Sequence, residues 1–153
     1  MAMKIAVDDL SGPEIAAFLQ EHLDEMRATT PPESKHALDL DALRRPEVTF
    51  WTVYEGDELL GCGALKELDG ATGEIKSMRT AAAAKRRGVA SALLEHIVAQ
   101  ARGRGYERLY LETGSFEFFA PARALYEKFG FTYCGPFADY KQDPNSAYMV
   151  KVL

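Results

Sequence analysis

The stretch from Met78 to Leu94 limits this chain's folding options most. The residues Gly73-Glu74-Ile75-Lys76-Ser77-Met78-Arg79-Thr80 before it read as a strand. Beyond it, Val89, Leu93, Leu94, Ile97, Val98 and Ala101 fall at helical spacing. The basic turn Lys85-Arg86-Arg87-Gly88 joins the two. A strand turning through a glycine-containing loop into a helix leaves free backbone N–H groups at the positive end of a helix dipole, which suits a phosphate or diphosphate. Lys85, Arg86 and Arg87 add positive charge where such an anion would sit. The alternative is a basic helix start with no ligand. No Gly-x-x-x-x-Gly-Lys-Ser/Thr and no Gly-x-Gly-x-x-Gly occurs, which argues against a P-loop NTPase and a Rossmann dinucleotide site.

A chain of 153 residues suits one domain spanning 1–153. With 47% hydrophobic and 27% charged residues it reads as a soluble globular protein, and a net charge of −5 argues against nucleic-acid binding. Two cysteines make no disulfide framework, no apolar run reaches membrane-spanning length, and the first residues lack a signal-peptide pattern. The default expectation is cytoplasmic, with no membrane partner. Three scattered histidines show no metal-ligand spacing, so no metal is expected.

Lys4–Val7 reads as a short strand. Ser11-Gly12-Pro13-Glu14 reads as a helix start with Ser11 as N-cap, and Ile15, Phe18, Leu19, His22, Leu23 and Met26 line one face to about residue 28. Thr29–Ser34 breaks that helix, and a short second helix is expected over 38–44. Val48–Glu55, Leu59–Leu68 and Glu74–Thr80 form a strand meander turning at Gly56-Asp57 and Asp69-Gly70. Gly61 and Gly63 mark a bulge or a close backbone approach. After the long helix come a strand at 108–113, a helix at 121–129 ended by Gly130, and strands at 131–137 and 147–152 that close as an antiparallel pair. Strand, crossover helix and strand in this order imply that the strands holding Glu74 and Leu109 run parallel.

Two motifs carry a family resemblance. Lys85-x-x-Gly88-x-Ala90 resembles the Gln/Arg-x-x-Gly-x-Gly/Ala loop of the GNAT superfamily, the acyl-CoA-dependent N-acyltransferases. Ala122-x-x-Leu125-Tyr126-x-x-x-Gly130-Phe131 resembles that family's Asn-x-x-Ala-x-x-Leu-Tyr-x-x-x-Gly-Phe, with Phe119 where many members have Asn. The resemblance implies an α/β fold of GNAT type, with a mixed, mostly antiparallel central sheet, one splayed parallel strand pair and helices on both faces. It implies acetyl-CoA as acyl donor. The amides of Arg86, Arg87, Gly88, Val89, Ala90 and Ser91 would hold the diphosphate, with Lys85 opening the loop. The backbone of Met78 and Thr80 would receive the pantetheine arm as an added strand.

The same resemblance places Glu74 as the base, six residues before Thr80, and Tyr126 as general acid beside the CoA sulfur. Glu112 on the neighbouring strand is the second base candidate. Regular alternation would set Glu74, Lys76, Met78 and Thr80 on one face. Arg79 is then a surface charge, or an acceptor-carboxylate anchor if a bulge turns it. His36, with Lys35 and Arg44, lies in the segment that often shapes the acceptor pocket of the family. No Ser/His/Asp or Cys/His pattern is present, so direct attack by an amine is expected rather than a covalent acyl-enzyme. The expected activity is acetylation of a primary amine on a small molecule. The rivals are a protein N-terminal or lysine acetyltransferase and a non-catalytic acyl-CoA sensor. Homodimers are common in the family, and no residue here fixes that state.

Overall fold

The computed structural model describes residues 3–29, 40–85 and 87–153. His36, Lys35 and Arg86 therefore lie outside the described residues. The chain runs through β1 (Lys4–Val7), α1 (Pro13–Thr29), α2 (Leu40–Leu43), β2 (Val48–Glu55), β3 (Glu58–Asp69), β4 (Thr72–Thr80), α3 (Val89–Gly103), β5 (Arg108–Gly114), α4 (Ala120–Lys128), β6 (Thr132–Cys134) and β7 (Ser146–Val152). One sheet holds all seven strands in the order β1-β2-β3-β4-β5-β7-β6. Every neighbouring pair is antiparallel except β4 and β5, which α3 connects as a crossover. The fold is the mixed, mostly antiparallel α/β sheet that the sequence implied. Among the described residues, no helix is long and apolar enough to cross a membrane.

Two apolar cores lie on the two faces of the sheet. On one face, Val89, Leu93, Leu94, Ile97, Val98 and Ala101 of α3 pack with Ile75, Leu111, Met149, Tyr126 and Phe131. Each large aliphatic side chain buried there stabilises the fold by about 1.5–3 kcal/mol. On the other face, Leu10, Ile15, Phe18 and Leu19 pack with Leu43, Phe50, Cys62 and Ala64. Ser11 is not the cap of α1. Its hydroxyl donates to Asp9 Oδ1 over 2.6 Å, and Gly12 supplies the first carbonyl, accepting from the Ala16 amide. The nearer carboxylate of Asp9 wins the serine hydroxyl.

The regular alternation expected along β4 fails at Ser77. Its φ is 55°, in the left-handed region, and the β3–β4 register shifts between Cys62/Arg79 and Ala64/Lys76. One residue is inserted, so the pleat restarts out of phase. Glu74 and Lys76 face the α1 side, because Lys76 pairs with Ala64 of that core. Met78 instead joins the α3 core, and Arg79 rather than Met78 faces α1. A Cβ on Gly63 would lie 2.6 Å from Met78 Sδ, so the bare glycine makes room for the displaced side chain. The Cys62 thiol donates to the Ser77 carbonyl over 3.3 Å, giving the bulge a buried partner.

Candidate active site

The two parallel strands separate after a short shared ladder. β4 pairs with β5 only over Thr72–Ile75 and Arg108–Leu111. Beyond that, β4 continues along β3 to Thr80 and β5 continues along β7 to Gly114. A gap therefore opens between Lys76–Thr80 and Glu112–Gly114, lined by strand backbone that can accept an extended chain. Arg123 of α4 secures the far lip by donating to the carbonyls of Gly114 (2.7 Å) and Phe116 (2.9 Å). Phe119 packs its ring against Gly114, where a Cβ would have no room.

The near end of the gap leads to the start of α3. Gly88 has φ 79°, a left-handed conformation that glycine adopts without strain, and no side chain caps the helix. The first helical bond runs from the Ala92 amide to the Gly88 carbonyl over 3.0 Å. The amides of Val89, Ala90 and Ser91 precede it and have no intrahelical acceptor. A Cβ at Gly88 would meet nothing within 4 Å, so the loop is open to a ligand. This arrangement fits a diphosphate. The cationic set differs from expectation. Lys85 is exposed, but the Arg87 guanidinium turns to the β2–β3 hairpin, 3.0 Å from Glu55 and 3.7 Å from Glu58. The Arg87 amide donates to the Ala84 carbonyl over 3.3 Å. These two carboxylates hold the side chain against the β2–β3 hairpin.

On the α1 side of the gap, Glu74 is 3% exposed. Its Oε2 accepts from Lys76 Nζ at 2.8 Å and from the Tyr140 hydroxyl at 2.6 Å. Lys76 also donates to the Tyr140 oxygen over 2.9 Å, closing a triangle. Burial, and then the charge of Glu74, push the Tyr140 phenol well above its ordinary range, so it serves as a donor. Tyr140 is held by Phe137 (ring centroids 4.9 Å apart) and Tyr148 (5.6 Å). Glu112 sits on β5 at the first position beyond the shared ladder, and by alternation with Leu111 faces the same side as Glu74. Burial raises its carboxyl to about 7, with Glu74 pushing the same way; the Ser146 hydroxyl and Lys76 oppose the shift.

Tyr126 of α4 belongs to the core on the opposite face, its ring 5.7 Å from that of Phe131. Burial raises its phenol far above the ordinary range, and the charge of Glu112 adds to the shift. Glu112 and Tyr126 thus lie on opposite faces of the sheet, near enough for the carboxylate's charge to act on the phenol. Among the described residues, no group of three His, Cys, Asp or Glu side chains is placed to hold a metal.

The Acetyltransferase (GNAT) family matches over residues 15–131. The chain belongs to this family. It is an N-acetyltransferase, and acetyl-CoA is its acyl donor. It is 60% identical over 151 residues to the uncharacterized N-acetyltransferase YsnE of Bacillus subtilis, covering 99% of this chain and 100% of that one. It is 40% identical over 124 residues to an IAA acetyltransferase of Azospirillum brasilense, covering 80% of each. Among solved structures, a candidate acyl-CoA N-acyltransferase from Klebsiella pneumoniae superposes with a TM-score of 0.79 at 28% identity, covering 99% and 97% of the two chains.

Within this GNAT enzyme, Arg79 is not a surface charge; the bulge turns it to the α1 side of the β4 segment that borders the gap. Its side chain is 6% exposed, lies over the Phe18 ring at 5.0 Å and pairs with Glu21 at 3.2 Å. Arg44 is structural, donating to the Leu10 carbonyl over 2.7 Å. Cys62 is an inert packing thiol, pushed up to about 12 by burial. Sequence reasoning missed Tyr140 and Glu21. Tyr140 lies 66 residues from Glu74 in a loop without periodicity, where a local density of aromatics between Phe137 and Tyr148 is the one signal. Glu21 lies on the polar side of the α1 pattern, which gives it no distinguishing mark.

Proposed function

We propose that this acetyltransferase moves the acetyl group of acetyl-CoA to a primary amine of a small molecule by direct attack. The observation that carries the proposal is the early end of the β4–β5 ladder at Ile75 and Leu111, which opens a gap between the two strands; in this reading Glu112 serves it from one face of the sheet and Tyr126 from the other. In this reading the diphosphate rests on the amides of Gly88, Val89, Ala90 and Ser91, and the pantetheine arm lies along Met78 and Thr80. The acetyl group then reaches the opening between the two faces of the sheet.

Glu112 takes the proton of the attacking amine, because a carboxyl at about 7 matches a base working near neutral pH. The amine nitrogen bonds to the thioester carbon, and the tetrahedral adduct expels the CoA sulfur. Tyr126 gives its proton to the departing thiolate and regains one from the nitrogen of the adduct, while the proton that Glu112 took from the incoming ammonium is released to solvent. Glu74, whose Oε2 already accepts from Lys76 and Tyr140, holds the incoming ammonium by charge. This reverses the order of the two carboxylates expected from sequence.

The test is thiol release from acetyl-CoA against amines, amino acids, peptides and IAA, the last taken from the name of the Azospirillum relative. Glu112→Gln and Tyr126→Phe are expected to lower kcat by 10²-fold or more with little change in CoA affinity. A Glu74→Gln enzyme that loses the neutral-pH limb while Glu112→Gln keeps it would return the base role to Glu74. Turnover of peptides alone would favour a protein substrate, and CoA binding without any turnover would favour a sensor.

A further inference from the structure

The α1-facing side of β4 is polarised along its length. Glu74, paired with Lys76, stands at one end and Arg79 at the other, and Glu112 joins Glu74 from β5. Arg79 reaches this face only because of the bulge at Ser77. Its guanidinium is sunk beside the apolar Phe18 ring and the fully buried Cys62, where a charge is costly without a carboxylate partner. The carboxylate that meets it comes from Glu21, whose own side chain is 62% exposed on α1. Such a partner gains little from the contact, because water competes for it and its long side chain must be ordered. A ligand carboxylate delivered to the same guanidinium competes with it directly.

Resting on the acetyl-transfer reading above, we propose that Arg79 reads a carboxylate on the acceptor, that the acceptor is an amino acid, and that Glu21 stands in for that carboxylate when the acceptor is absent. Arg79 lies a single residue beyond Met78, the residue that flanks the gap. In this arrangement the acceptor carboxylate lies toward Arg79 and its amine toward Glu74 and Glu112, on one face of the sheet.

The experiment compares the common L-amino acids with their carboxamides, which keep the amine and lose the charge. At least one acid is expected to be used with kcat/KM tenfold or more above its amide. Glu21→Gln removes the stand-in and is expected to raise that acid-to-amide ratio severalfold; Arg79→Met is expected to bring it to about one. Should Arg79→Met fail to fold, the Glu21→Gln ratio decides alone. A merely structural ion pair would move the acid and the amide together in Glu21→Gln. Ratios within twofold for every acid in the unmodified protein, or a Glu21→Gln effect equal on acid and amide, overturn the inference. Calorimetry of the CoA-loaded protein separates the two layers. Acid bound over amide without transfer keeps Arg79 as a reader and removes the transfer reading. Transfer to amines with no acid preference does the reverse, and no binding or turnover of any acid overturns the Arg79 assignment.

Discussion

Tyr140 donates to Oε2 of Glu74 over 2.6 Å, joining the loop between β6 and β7 to the α1 side of the sheet. A hydrogen bond to a buried carboxylate contributes about 1.5–3 kcal/mol. Tyr140→Phe is therefore expected to lower stability by about that amount in urea titration. Because the phenol also orients Glu74, the acceptor KM should rise more than kcat falls. An unchanged acceptor KM would reduce Tyr140 to a packing residue.

Glu112 makes a signed prediction about pH. Its carboxyl rises from 4.5 when unfolded to about 7 in the fold, so between these values the folded state binds more protons. Its contribution to stability thus falls as pH rises through that window, by about 3 kcal/mol. Relative to Glu112→Gln, the unmodified protein should lose stability from pH 4.5 to 7 and run parallel above it. As a base, the same group should give kcat/KM an ascending limb with its midpoint near 7, absent in Glu112→Gln. A limb that persists in the variant assigns it elsewhere.

Gly61 lies where β3 passes β4 and α3. A Cβ there would sit 2.8 Å from the Arg79 carbonyl oxygen and 2.9 Å from Val89 Cγ1. Since the first contact is backbone, relief requires moving the strand that lines the gap. Gly61→Ala is expected to cost about 1–3 kcal/mol and to weaken CoA binding as well. At Gly63 the nearest atom is the flexible end of Met78, so Gly63→Ala should cost less. Denaturant midpoints and calorimetry with CoA check both points.

Arg87 belongs to the basic turn before α3 in sequence and to the β2–β3 hairpin in space. Its contact with Glu55 is partly exposed and contributes up to about 1 kcal/mol. Glu55→Gln should loosen the loop and raise the acetyl-CoA KM by about fivefold or less, with kcat retained. A lowered KM would mean that Glu55 restrains Arg87 from joining the anion site.

The strand, basic turn and helix were legible because each depends on local chemistry: periodicity on both sides, and a glycine at the one position needing a positive φ. The order of elements and the parallel pair followed from crossover rules. The facing of Met78 and Arg79 was not legible, because Ser77 carries no mark of a bulge and alternation is the default for any strand. Gly61 and Gly63 were the partial signal, announcing close approach without saying which strand would deform. The partners of the Arg87 side chain were not legible for a related reason: the sequence shows its charge, while Glu55 and Glu58 become its neighbours only once β2 and β3 pair. The Glu74–Tyr140 contact depends on a long loop closing over the sheet, and no short-range pattern encodes it.

Diffraction from crystals grown with CoA tests the central claim most directly. The expected result is density for the diphosphate on the amides of Gly88, Val89, Ala90 and Ser91, with the pantetheine arm between Lys76–Thr80 and Glu112–Gly114 and the sulfur near Tyr126. Diphosphate density away from the start of α3, or β4 and β5 zipped together beyond Ile75 and Leu111, would contradict it.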